Sequence, residues 1–285
     1  MNYSRRDLLK FGVGAAALCA AGTEASNLRA QEPKKKIPIA LQMWSVRDVA
    51  QKDPAGTFAG VAKMGYEGVE IGANPYGRKA DEMRKMLDDN NLKCCGMHTG
   101  LRTLTGDALK KTVEYNQTLG NKFLILPDLP RANLASVAAL MDTAELLTDL
   151  AAQAKELGMR IGYHNHTIEF KPVADRIPWE VIFSNAGPDV LMQLDIRHCL
   201  DGGGDPIAIL KKFPHRTATI HLTEHGGPEG AVIGEGDVPW KQVFELCETI
   251  GDTEWYIVEQ EKYKPGVPTM ESARLCLENL RKMGK

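Results

Sequence analysis

The chain has 285 residues, a formal net charge of −2 and 43% hydrophobic residues. A near-neutral balance argues against a polyanion partner, and this apolar content is ample for one large core or two small ones. No apolar run reaches the length of about 18 residues that spans a bilayer.

The N-terminus is read apart from the fold. Ser4-Arg5-Arg6-Asp7-Leu8-Leu9-Lys10 is a twin-arginine pattern, followed by a mildly apolar stretch from Phe11 to Gly22 and small residues near Ala30. Residues 1–30 are therefore expected to be a bacterial twin-arginine export signal, cleaved near Ala30 and delivering a folded chain to the periplasm. An ordinary basic arm is the alternative. Cys19 lies in this segment, but Ala16-Ala17-Leu18 before it makes a poor lipoprotein box, so no stable membrane association is expected after cleavage. The remaining Cys94, Cys95, Cys199, Cys247 and Cys276 are odd in number and lack a C-x-x-C pair. They read as thiols packed as small hydrophobes rather than a disulfide framework.

From residue 36 a strand–helix alternation repeats to the C-terminus. Strands are predicted at Ile37–Trp44, Gly68–Ile71, Lys93–Met97 and Phe123–Leu126, followed by helices at Asp53–Met64, Lys79–Asn90, Gly106–Leu119 and Ser136–Leu157. In the last of these helices Val137, Leu140, Leu146, Leu147, Leu150 and Ala151 recur at helical spacing. The second half continues with strands at Arg160–Tyr163, Val190–Leu194, Thr217–Ile220 and Trp255–Val258. Helices follow them around Trp179–Ser184, Pro206–Phe213, Pro239–Ile250 and Met270–Met283. Asp53-Pro54 and Asp205-Pro206 are helix-opening pairs, and Thr269 is a candidate cap. Eight βα units in about 250 residues match a single (β/α)₈ barrel spanning residues 36–285. The rival, an open doubly wound sheet, would carry a glycine-rich phosphate turn after its first strand, and Gln42-Met43-Trp44-Ser45 is not one.

The strand ends carry the chemistry. Asp195, His221 and Glu259 each close an apolar strand, and Glu169 lies in the loop after the fifth. Side-chain alternation puts Leu191, Gln193 and Asp195 on one face, Thr217, Thr219 and His221 on one face, and Trp255, Ile257 and Glu259 on one face. One polar residue at the inner end of a barrel strand is most often structural; four at equivalent ends are costly unless they serve a site. Three carboxylates and an imidazole suit one divalent ion, Mn²⁺ above all, with Mg²⁺, Co²⁺ or Zn²⁺ also accommodated. Such an ion polarises a carbonyl, and Glu169 and Glu259 would exchange the neighbouring proton. No organic cofactor is required. His166 is a candidate substrate contact, with His164 behind it, and Trp44 would stack on an apolar face of the substrate or else pack in the core. Glu70 would bond a substrate hydroxyl or pair with a loop arginine. Gly202-Gly203-Gly204 and Gly234-Glu235-Gly236 read as flexible turns, and Glu261 and Lys262 as solvated loop.

Asp195-Ile196-Arg197-His198, with His221, Glu259 and the eight-unit order, resembles the xylose-isomerase-like barrel superfamily of sugar isomerases and epimerases. The resemblance covers nearly all of the chain after the signal. It implies metal ligation by Glu169, Asp195, His221 and Glu259 and substrate contact by His198 and His98. Tyr163-His164-Asn165-His166 with Glu169-Phe170, and Val258-Glu259-Gln260-Glu261, are similar to the branch containing inosose dehydratase and exported sugar phosphate isomerase/epimerase proteins. Where that branch often shows His-Leu-Lys-Asp, this chain has His221-Leu222-Thr223-Glu224 and lacks the lysine.

The expected function is a metal-dependent sugar isomerase or epimerase acting on a sugar or keto-sugar through an enediolate. The alternative is a lyase or dehydratase that removes the same proton and then eliminates a β-substituent from a keto-sugar, keto-glycoside or keto-inositol. Export favours an unphosphorylated substrate. A metal-dependent endonuclease is a remote reading, since its basic face and extra histidines are missing; no nucleic-acid partner is expected. A non-catalytic sugar-binding barrel would be expected to have lost ligands. The partner is thus a small carbohydrate, and a homo-oligomer is left open.

Overall fold

Short apolar strands buried on both faces form parallel sheets whose outer face is covered by crossover helices. The computed structural model describes residues 36–73 and 75–285, so the twin-arginine signal expected at 1–30 lies outside the described residues. In chain order the elements are β1 Ile39–Gln42, α1 Arg47–Ala50, α2 Pro54–Met64, β2 Gly68–Ile71, α3 Ala80–Asp89, β3 Lys93–His98, α4 Gly106–Thr118, β4 Phe123–Leu126 and α5 Val137–Glu156. They continue with β5 Arg160–His164, α6 Pro178–Asn185, β6 Leu191–Gln193, α7 Ile196–Asp201, α8 Pro206–Lys212, β7 Thr219–Leu222, α9 Trp240–Thr249, β8 Trp255–Val258 and α10 Thr269–Lys282.

The sheet order is β6-β5-β4-β3-β2-β1-β8-β7, with every paired neighbour parallel. Only the β6–β7 seam lacks a full ladder. It is closed by bonds from Met192 N to Arg216 O at 2.7 Å and from His221 N to Leu194 O at 3.0 Å, with Asp195 bridging His221 in parallel register. This is a single (β/α)₈ barrel, as expected.

The large core lies between strands and helices. Inside the barrel, Ala40, Cys95 and Ile257 form one small cluster and Phe123, Ile125, Leu191 and Ala218 another. Parity then dictates the layer above. Two residues beyond these apolar positions, the same strand faces present Gln42, Gln193 and Glu259, so the barrel interior changes from dry to polar toward its C-terminal mouth.

Several boundaries moved for local reasons. β1 stops at Gln42 because a 3₁₀ turn over Met43–Val46 begins there, the Gln42 Oε1 accepting the Trp44 amide at 3.1 Å. β7 lies two residues later than predicted, at Thr219–Leu222, where the β8 ladder holds it. α7 was not predicted; it begins directly at Asp195, whose carboxylate caps it. Asp53 and Asp205 cap their helices, whereas Thr269 is not a cap: its hydroxyl donates to Asp48 at 2.7 Å. The five described cysteines are free and buried, as packed thiols should be.

Candidate active site

The polar layer at the mouth centres on His221, fully buried between two carboxylates. Its Nε2 lies 2.6 Å from Glu70 Oε2 and its Nδ1 lies 2.8 Å from Glu259 Oε2. Burial opposes charge on this ring, but Glu70 and Glu259 outweigh it and push its pKa up to about 10. Glu259 is held below the usual carboxylate range: burial acts against this, and His221 prevails. Asp195 completes the group, its ligand atoms and those of His221 and Glu259 lying within 4.8 Å of one another.

Asp195 is positioned by three elements. Its Oδ1 accepts the His198 amide at 2.6 Å, its Oδ2 accepts the Thr223 hydroxyl at 2.7 Å, and its own backbone N–H donates to Asn165 Oδ1 at 2.8 Å. Thr223, standing where a lysine was expected, is therefore a bracket for Asp195. Glu224 beside it turns away and accepts the Trp240 indole N–H at 2.9 Å, anchoring the loop before α9.

Glu169 sits apart from that three-residue group. The loop after β5 forms a 3₁₀ turn over Thr167–Phe170, in which Glu169 Oε2 accepts the His166 amide at 2.8 Å and Oε1 accepts the Tyr163 hydroxyl at 2.7 Å. Burial raises its pKa, while Tyr163 and the backbone donors pull it down less strongly. The His166 ring packs against His164 and His198, so Glu169, which accepts the His166 amide, lies beside that imidazole cluster.

Four further imidazoles line the mouth. His98 lies with its ring centroid 5.2 Å from His164 and 5.5 Å from His221; His164 is 4.6 Å from His221 and 5.0 Å from His166; His166 is 4.9 Å from His198. Burial lowers the pKa of His164, His166 and His198, so they are neutral rings able to donate and accept. His164 is buried and its Nδ1 has no partner.

The structure thus brings Asp195, His221, Glu259, His98, His166 and His198 into one layer, with Glu169 at its edge. Trp44 stands on the rim instead of in the core, 49% exposed with the Arg47 guanidinium 4.5 Å over its ring. Glu70 meets no loop arginine; it is buried under His221. Glu261 is not simply solvated, since it pairs with Arg197 and approaches His198 at 3.2 Å. Gly202 and Gly204 are packing positions. A Cβ at Gly204 would lie 2.5 Å from Phe170 and 2.8 Å from Cys199 Sγ, so this run closes against the turn that carries Glu169. Sequence reading missed Gln42, Gln193, Asn165, Tyr163 and Thr223 as site supports. The parity that selected Asp195 also put Gln193 on the inner face, two residues below it, but an amide in an apolar strand carries no catalytic signature.

The donor set fits a divalent cation. A neutral Nδ1 and a carboxylate oxygen both present lone pairs, so a positive charge, proton or metal, belongs between His221 and Glu259. Asp195 and Glu259 supply hard oxygens beside it.

A model of the xylose isomerase-like TIM barrel matches residues 58–283. The chain belongs to that family. Among curated relatives, the inosose dehydratase of Clostridium beijerinckii is 23% identical over 275 residues, covering 80% of this chain and 90% of its own. A sugar phosphate isomerase/epimerase of Parabacteroides distasonis superposes with a TM-score of 0.75 at 22% identity, over 87% of this chain and 98% of that one. An IolI protein whose structure holds a zinc atom superposes at 0.65 and 14% identity, covering 86% of this chain and 97% of its own.

Proposed function

We propose that this family member is a divalent-metal-dependent isomerase or epimerase that moves a proton at the carbon next to a carbonyl of a sugar or keto-sugar. The observation that carries the reading is the convergence of Asp195, His221 and Glu259 within 4.8 Å at the mouth of the barrel. Asp195, His221, Glu259 and Glu169 would hold the ion, manganese being the first choice for three carboxylates and one imidazole, with Mg²⁺, Co²⁺ or Zn²⁺ as alternatives. When bound, it would polarise the substrate carbonyl and stabilise the oxyanion that deprotonation creates.

The protein's own groups do the rest. Glu169, whose pKa burial raises, suits a base that must take up and return a proton. Glu259, approaching from β8, would serve as the second proton carrier. His166 and His198 face the pocket as neutral donors and acceptors for hydroxyls, His98 stands beside them, and Trp44 on the rim offers an apolar face for a sugar ring.

A second reading is favoured by the curated relatives, which include inosose dehydratases. The same proton abstraction followed by loss of a β-substituent would make the enzyme a lyase on a keto-sugar, keto-glycoside or keto-inositol. The test takes Glu169→Gln and Glu259→Gln. Each should lose about 10² to 10⁴ in rate while still binding metal, and deuterium from D₂O should enter the carbon beside the carbonyl. Retained turnover in Glu259→Gln, or turnover without exchange, would sink the proton-abstraction mechanism. Release of water or an aglycone would select the lyase.

A further inference from the structure

Below the metal-ligand group lies a carboxylate that the proton chemistry does not use. Glu70, on β2, is fully buried at the barrel axis and accepts from three elements at once. Gln42 Nε2 donates to its Oε2 at 2.7 Å, Gln193 Nε2 donates to its Oε1 at 2.7 Å, and His221 Nε2 contacts Oε2 at 2.6 Å. Gln193 also donates to Thr219 Oγ1 at 2.9 Å and accepts from His98 Nε2 at 3.1 Å. Glu70 is a buried carboxylate with donors on both oxygens.

The backbone makes room for it. The β2–β3 register shifts between Val69 and Glu70, and across this irregularity Glu70 pairs with Gly96. A Cβ at Gly96 would collide with Glu70 Oε1. The absence of a side chain at 96 is thus the space in which the carboxylate sits.

We infer that Glu70 is a positioning residue for metal binding: it takes the Nε2–H of His221, fixing the ring as the tautomer whose Nδ1 lone pair faces Asp195 and Glu259. The inference rests on the reading of His221 as a metal ligand. A ligating imidazole characteristically gives its other ring N–H to a carboxylate or carbonyl, which sets its orientation and raises its basicity. Here Gln42 and Gln193 orient the carboxylate in turn. An amide at position 70 could not accept from both flanking glutamines and His221 together, since one end of it is a donor.

The experiment measures Zn²⁺ and Mn²⁺ affinity by chelator competition for the wild-type protein, Glu70→Gln and Gly96→Ala. Thermal midpoints of the metal-free forms monitor folding, and ¹⁵N NMR of the zinc-loaded wild type reads the His221 ring. The expected result is affinity about 10- to 100-fold weaker in both variants, with the wild-type ring protonated on Nε2. Because the tautomer is read on the unaltered protein, a variant that fails to fold does not remove the test. Glu70→Gln affinity within twofold of wild type overturns this inference alone, whereas a zinc-loaded His221 protonated on Nδ1 overturns it and also removes His221 from the proposed ligand set. A wild-type chain that takes up no ion overturns the functional reading and this inference with it.

Discussion

Tyr163 and Glu169 show how one hydroxyl tunes a carboxylate. The phenol donates to Glu169 Oε1 at 2.7 Å and favours the ionised form, opposing the burial that disfavours it. Tyr163→Phe removes that donor, so the Glu169 pKa should rise and the ionised base should appear only at higher pH. The acid limb of the kcat/KM profile should then move up in pH; an unmoved limb would argue that Glu169 is not the base. The ligand candidates themselves were visible in the sequence because strand ends and parity locate them. Tyr163 and Thr223 were not, because what they do depends on which hydroxyl meets which carboxylate across elements.

At the scale of elements, α7 links fold and site. Asp195 ends the β6 segment, bridges to His221 across the seam and caps α7 through the His198 amide. Capping needs only a side-chain oxygen, whereas ligation gains from a full negative charge. Asp195→Asn should therefore leave stability within a few tenths of a kcal/mol and weaken metal binding, while Asp195→Ala should also cost about 1 kcal/mol of cap. Denaturant titration of the metal-free proteins, paired with metal affinity, separates the two effects. Equal affinity in Asp195→Asn and wild type would remove Asp195 from the ligand set. The helix was not foreseen because Ile196-Arg197-His198-Cys199-Leu200-Asp201 is too short for a periodic signal. Its capping aspartate was the visible part, read there as a ligand.

At the scale of the whole molecule, the proposed export route meets the proposed chemistry. A twin-arginine signal carries folded proteins, which suits a barrel that takes up its ion before crossing the membrane. A reporter fused behind residues 1–35 should reach the periplasm only with Arg5 and Arg6 intact. Export that persists in the Arg5→Lys, Arg6→Lys double variant would refute the twin-arginine reading. The described cysteines agree with any compartment, since all five are buried and burial pushes the thiols of Cys94, Cys247 and Cys276 up to about 12.

The sequence by itself determined the eight-unit barrel and the strand ends that carry Asp195, His221 and Glu259. Hydrophobic period and side-chain alternation are local properties, and a barrel turns them into a layered interior without further information. What only the tertiary structure decided is which partner each polar group meets. Glu70 and His221 are 151 positions apart and come together because β2 and β7, separated by β1 and β8 in the sheet, both turn these side chains into the barrel interior. Gly96 reads as an ordinary strand glycine until the β2–β3 register shift puts a carboxylate in the place of its missing side chain. Pairings of that kind depend on barrel closure and strand stagger, which are set by the packing of the whole sheet and are not written in any one segment.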